Sequence, residues 1–99
     1  MKRVYAPRRD GDPKAAAVIR ARRKALGLSI ERAAGLAGCS TGMWSMLENA
    51  KRRPSIVMAA AIAEALGLAG ADLDTVLGAG LEGVGRDSPY KVWTARARA

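Results

Sequence analysis

The stretch LSIERAAGLAGCSTGMWSMLEN, Leu28–Asn49, holds two short helical patterns, each opening on a serine and separated by a Gly-Cys turn. Ser29 precedes the first pattern and Ser40 the second. In each place the hydroxyl can accept a hydrogen bond from a free amide of the first helical turn. Gly38 supplies the backbone freedom to stop one helix and start the next within about three residues. Helices this short, joined this tightly, cross at a steep angle and present the second of the pair.

Ninety-nine residues make one small domain, which buries about 60–65% of its unfolded surface. A core that small makes dimerisation an expectation from the outset. With 49% apolar residues but two Trp, two Tyr and no Phe, the composition suits a helical domain cored by Ala, Leu, Ile and Met. No apolar run approaches the roughly 18–20 residues that span a bilayer, and MKRVYAPRRDGDP carries no apolar signal-peptide core. The expected location is cytoplasmic. Cys39 is the only cysteine, so no internal disulfide can form, in keeping with a reducing compartment.

Charge is unevenly spread. Residues 1–27 hold nine Lys/Arg against two Asp, residues 28–68 four against three, and residues 69–99 four against four. Nearly all of the net +8 therefore lies in the N-terminal segment, which suits a polyanion on one face. A basic tail kept for solubility is the plainer alternative.

Residues 1–12 read as a flexible basic arm carrying Lys2, Arg3, Arg8 and Arg9. Asp12-Pro13 is a strong helix start, an aspartate cap followed by proline at the first helical position. A first helix follows to about Leu26, with Ala16, Ile19, the stem of Arg23 and Leu26 on its apolar side. Arg20, Arg22 and Lys24 are left for solvent or a partner. The second helix is expected over Ile30–Ala37 and the third over Thr41–Asn49, where Trp44 and Leu47 face inward together. After the basic loop Ala50-Lys51-Arg52-Arg53-Pro54, Ser55 caps a fourth helix over Ile56–Leu66. That helix is apolar nearly all round, so it should be covered on more than one side, by a second subunit or by the C-terminal segment. A short fifth helix is expected from Asp72 to Leu77. The glycine-rich residues 78–88 then read as a linker, and Tyr90–Thr94 reads equally as a docking segment, a short strand or a disordered tail. The resulting domain organisation is 1–12 arm, 13–77 helical domain, 78–99 linker and tail.

Several chemistries drop out. Gly78–Gly83 has the spacing G-x-G-x-x-G, but a helical pattern precedes it and only sixteen residues follow, so no βαβ unit exists to use it. There is no histidine, hence no imidazole base or histidine metal ligand, and one cysteine without such a partner is a poor nucleophile. Asp72 and Asp74 do not face each other on a helix and suit dipole complementation instead. Neither an enzyme nor a metal or cofactor site is expected, and no small-molecule ligand.

Arg23, Gly27-Leu28-Ser29, Ala34, Cys39-Ser40, Trp44, Leu47-Glu48, Lys51, Pro54-Ser55 and Leu66-Gly67-Leu68 form one ungapped string. In it the segment from Ile19 to Leu68 resembles the helix-turn-helix family of phage repressor and Cro proteins (Cro/C1-type, XRE-like). The resemblance implies an all-α, five-helix, lambda-repressor-like DNA-binding domain, its third helix in the major groove and its second across the backbone. It also implies an ion pair between Arg23 and Glu48. Carried over by position, the base-facing residues are Thr41, Gly42, Ser45 and Met46, and Met43 next to them is expected to join them as a groove contact, with flexible filler as its alternative. None is Arg, Asn or Gln, so no bidentate base contact is available from the first four and modest discrimination is expected, aided by DNA shape. Phosphate contacts are expected from Ser29, Ser40, Asn49, Lys51, Arg52 and Arg53. The chain departs from the family pattern at Ile30, where Gln is common, at Ala50, where Gly is usual, and at Arg22, where a core Leu is common and an outward side chain is expected. Cys39 sits at a small apolar site and reads as core.

These readings give a small transcriptional regulator, repressor- or Cro-like, that binds double-stranded DNA as a homodimer through helix 4 or the C-terminal segment. The alternative is a protein-interaction module or antitoxin that uses the same fold to bind a partner protein.

Overall fold

The computed structural model describes residues 11–82. Five helices follow one another: α1 Pro13–Ala25, α2 Ile30–Ala37, α3 Thr41–Glu48, α4 Ile56–Leu66 and α5 Gly70–Leu81. The all-α class stands, and there is no strand among the described residues. The basic arm at Lys2, Arg3, Arg8 and Arg9 and the Tyr90–Thr94 segment lie outside the described residues.

Side-chain caps start four of the helices. Asp12 Oδ1 accepts from the amides of Lys14 and Ala15 at 3.0 and 3.1 Å, with Pro13 at the first helical position. Ser29, Ser40 and Ser55 each accept from the amide three residues on, at 3.0, 3.1 and 3.0 Å. These bonds satisfy amides that helix geometry leaves without partners. At the other end, α2 stops on Gly38 at φ +79°, a left-handed conformation that a Cβ disfavours. The Cys39 amide then bonds back to the Ala34 carbonyl at 2.9 Å, closing the helix and turning the chain into Ser40.

The core is built from Ile19 of α1, Ala33 and Ala34 of α2, Trp44 and Leu47 of α3, Ile62 and Leu66 of α4, and Val76 of α5. The alanines of α2 let it approach α3 and α4 closely, as their size suggests. Leu26 departs from expectation: it lies one residue past the end of α1 and is 43% exposed, so it is not part of the core. Arg22 departs too. It is half-buried, and its Nε donates to the Leu66 carbonyl at 2.8 Å, placing a cation at the C-terminus of α4, where the helix dipole favours one.

The fifth helix differs most from its sequence reading. It begins two residues before Asp72, with no side-chain cap, and continues through Gly78-Ala79-Gly80-Leu81, the start of the expected linker. The reason is packing. Ala79 and Gly80 are buried, and a Cβ at Gly80 would lie 2.9 Å from Ile56 Cα and 3.0 Å from Ala59 Cβ. Backbone-to-backbone approach of α4 and α5 therefore outweighs the poor helix propensity of glycine. It also supplies part of the cover that the apolar α4 requires. Val57, at 69% exposure, and Ala60 remain uncovered.

Candidate nucleic-acid interface

The seat of α3 determines what the helix can present. Trp44, Leu47 and Glu48 are buried along its inner side. The Glu48 carboxylate receives Arg23 of α1 in a two-pronged contact, Nε to Oε2 at 2.5 Å and Nη2 to Oε1 at 3.1 Å. Arg23 also donates through Nη1 to the Leu28 carbonyl at 2.9 Å, which ties the start of the helix pair to the same cation. The Trp44 indole N–H donates to Glu48 Oε2 from one turn away. Burial by itself pushes the Glu48 carboxyl upward, but hydrogen bonds from Arg23 and Trp44 and the nearby guanidinium charges outweigh it. The pKa is held below the ordinary value. Glu48 in turn raises the pKa of Arg23. The pair joining Arg23 to Glu48 is present, and it faces the interior. Trp44 is the member of this group that its inward spacing does not disclose; the four-residue interval to Glu48 is the signal for it.

On the outer side of α3, Thr41, Gly42 and Met46 are exposed and Ser45 is half-exposed. They form a continuous surface, since positions 41, 42, 45 and 46 share one helical face. Met43 is half-buried and packs against the core, which makes it filler more than surface. The Ser29 and Ser40 hydroxyls are exposed and engaged as caps, so the free amides of the first turns of α2 and α3 lie beside them. Asn49 turns back on its own helix: its side-chain amide donates to the Ser45 carbonyl at 2.8 Å and to Ser45 Oγ at 3.3 Å.

Past α3 the chain turns through Ala50 at φ +56°, a positive angle on a residue with a Cβ. The Lys51 amide bonds to the Met46 carbonyl at 2.9 Å and the Ala50 amide to the Leu47 carbonyl at 3.4 Å. This is the closure that Gly38 makes for α2, made here without glycine. Lys51 and Arg52 follow, both exposed. Arg53 is half-buried, and its Nε has no hydrogen-bond partner among the described residues. Gly11 lies hard against this turn, where a Cβ on it would overlap the Ala50 carbonyl. The root of the N-terminal arm and the Lys51-Arg52 loop are thus neighbours. Cys39 is half-buried against the core, and burial pushes its thiol pKa up, away from the reactive thiolate.

A family model described as a helix-turn-helix domain matches residues 15–76. That is more than half of the chain and spans α1 to the middle of α5. The chain belongs to the helix-turn-helix domain family, a DNA-binding class. No curated protein and no solved structure matches it. No helix among the described residues is long and apolar enough to cross a membrane.

Proposed function

We propose that this chain is a small transcriptional regulator of the repressor/Cro type, cytoplasmic and phage- or prophage-like, that binds double-stranded DNA as a homodimer. One observation carries the reading: an inwardly anchored α3 turns Thr41, Gly42, Ser45 and Met46 outward, beside a cationic loop and the root of a basic arm. In this reading α3 enters the major groove. The amides behind Ser29 and Ser40, together with Lys51 and Arg52, meet phosphates. Arg53 reaches a phosphate only with the outer part of its guanidinium. Lys2, Arg3, Arg8 and Arg9, which precede Gly11 in the chain, add further cations for phosphates. The groove-facing side chains make only single hydrogen bonds and methyl contacts, so affinity leans on the cations and depends steeply on salt.

Fluorescence anisotropy with operator-sized duplexes tests this. Binding is expected at about 50 mM salt, and the double substitution Lys51→Ala, Arg52→Ala should lower the log-log salt slope by about 1.8. Absence of binding at low salt, or an unchanged slope in the double variant, sinks the reading.

The exposed Val57 and Ala60 on α4 favour a second reading, a module or antitoxin that docks a partner protein on that face. Solution mass separates it from self-association. A dimer that Val57→Asp converts to a monomer supports the homodimer. A monomeric native chain supports the heterologous partner.

A further inference from the structure

We propose that Gly42 and Met46 form an apolar notch on α3 that takes the C5-methyl group of a pyrimidine. The inference rests on the reading of α3 as the groove helix and deepens it by naming what that helix recognises. Gly42 is the second residue of α3. Its φ is not positive, and a Cβ on it would meet nothing nearer than Ser40 Oγ at 4.0 Å. Neither backbone conformation nor packing therefore calls for glycine, a poor helix former. Gly38, held at φ +79°, and Gly80, pressed against Ile56, are required by one or the other. Gly35 and Gly78 also stand in open space, but on α2 and α5, outside the face that α3 turns toward DNA in this reading.

Met46 stands four residues after Gly42 and shares its face of the helix. A helical side chain leans toward the N-terminus and covers the surface over the preceding turn. Met46 therefore leans toward Gly42, yet no atom of it comes within 4 Å of where a Cβ on Gly42 would stand. The space between them is open. Met46 is 37% exposed, and Thr41, which brings a side-chain methyl to the other side of Gly42, is exposed as well. Bare backbone is the floor of this notch and a flexible thioether is its wall. The apolar group that a base presents in the major groove is the C5-methyl of thymine. In 5-methylcytosine the same group stands at the same ring position, and uracil and cytosine lack it. Seating the methyl against Met46 removes apolar surface of both from water, which favours the methylated base.

The test starts from duplexes selected out of a randomised pool, in which each thymine of the bound site is then replaced in turn by uracil. Anisotropy titration should find a thymine whose replacement weakens binding about fourfold, the scale of burying one methyl-sized group. Met46→Ala should bind the thymine and uracil duplexes equally. Gly42→Ala should do the same, because its Cβ fills the notch, while its melting temperature is kept or raised. Cytosine and 5-methylcytosine at that position separate the two sources of the methyl. Tighter binding of 5-methylcytosine shows that the notch takes the methyl of either base, and equal binding confines it to thymine. A merely structural role for Met46 or Gly42 would weaken the thymine and uracil duplexes by one factor and keep their difference, which overturns the proposal. So does a native chain indifferent to every uracil replacement. If the native chain enriches no duplex at all, the DNA-binding reading itself falls, an outcome distinct from enrichment without sensitivity to the methyl.

Discussion

Glu48 combines a buried negative charge with three hydrogen bonds that its carboxylate accepts, so its environment can be tested by pH. Its folded pKa lies below the unfolded value, which is about 4.3 for an ordinary glutamate. Its contribution to stability is therefore complete above the unfolded value and is lost as pH falls through the folded one. Urea unfolding of the native chain should show an acid limb below about pH 4.3 that is flattened in Glu48→Gln. Parallel limbs in the two proteins would mean that other carboxylates carry the acid response. Arg23→Met strands the carboxylate and should cost about 3–5 kcal/mol at neutral pH. A second prediction concerns Ala50, held at φ +56°. An L-residue pays roughly 1–2 kcal/mol in that region, so Ala50→Gly should raise stability by about 1 kcal/mol, read as an upward shift in the urea midpoint. The ion pair is legible in the sequence through resemblance. The indole bond from Trp44 has only its four-residue interval to Glu48 as a signal, and the return of Asn49 to Ser45 and the Arg22 bond to Leu66 have none, because each depends on which way a side chain turns once the helices are packed.

At the level of elements, α2 and α4 are legible to the residue, because serine opens each and a glycine closes each. The fifth helix is not. Its glycines look like a linker in isolation, and only contact with α4 turns them into a packing face. Two substitutions in α5 should accordingly have opposite signs. Gly80→Ala places a Cβ 2.9 Å from Ile56 backbone, which forces α4 and α5 apart at a cost of about 1–3 kcal/mol. Gly78→Ala meets open space and should stabilise the helix by up to about 1 kcal/mol. Thermal unfolding of the pair decides it. Equal shifts of one sign would show that α5 does not bear on α4 at Gly80.

For the whole molecule, charge and packing separate. Residues 11–82 hold nine Lys/Arg against seven Asp/Glu, so most of the net +8 belongs to the flanking segments. Deleting residues 2–9 removes Lys2, Arg3, Arg8 and Arg9 and no residue of the five helices. The truncated chain should keep its melting temperature while its log-log salt slope for DNA falls by up to about 3.6, one increment per cation. A slope that stays put would confine phosphate contact to the helical domain. The sequence discloses this division directly, since charge can be counted without coordinates. It does not disclose that Gly11 packs against the Ala50 turn, a contact between residues far apart in the chain.

Anchoring through Trp44, Leu47 and Glu48 has one more consequence, for how such a molecule can change over generations. Every residue that seats α3 points inward, whereas Thr41, Gly42 and Met46 carry no packing duty. Those outer positions can mutate with little penalty to folding, so new target sequences can be acquired through single replacements, without compensating changes elsewhere. The inner side acts as a fixed chassis, and the outer side is an interchangeable label.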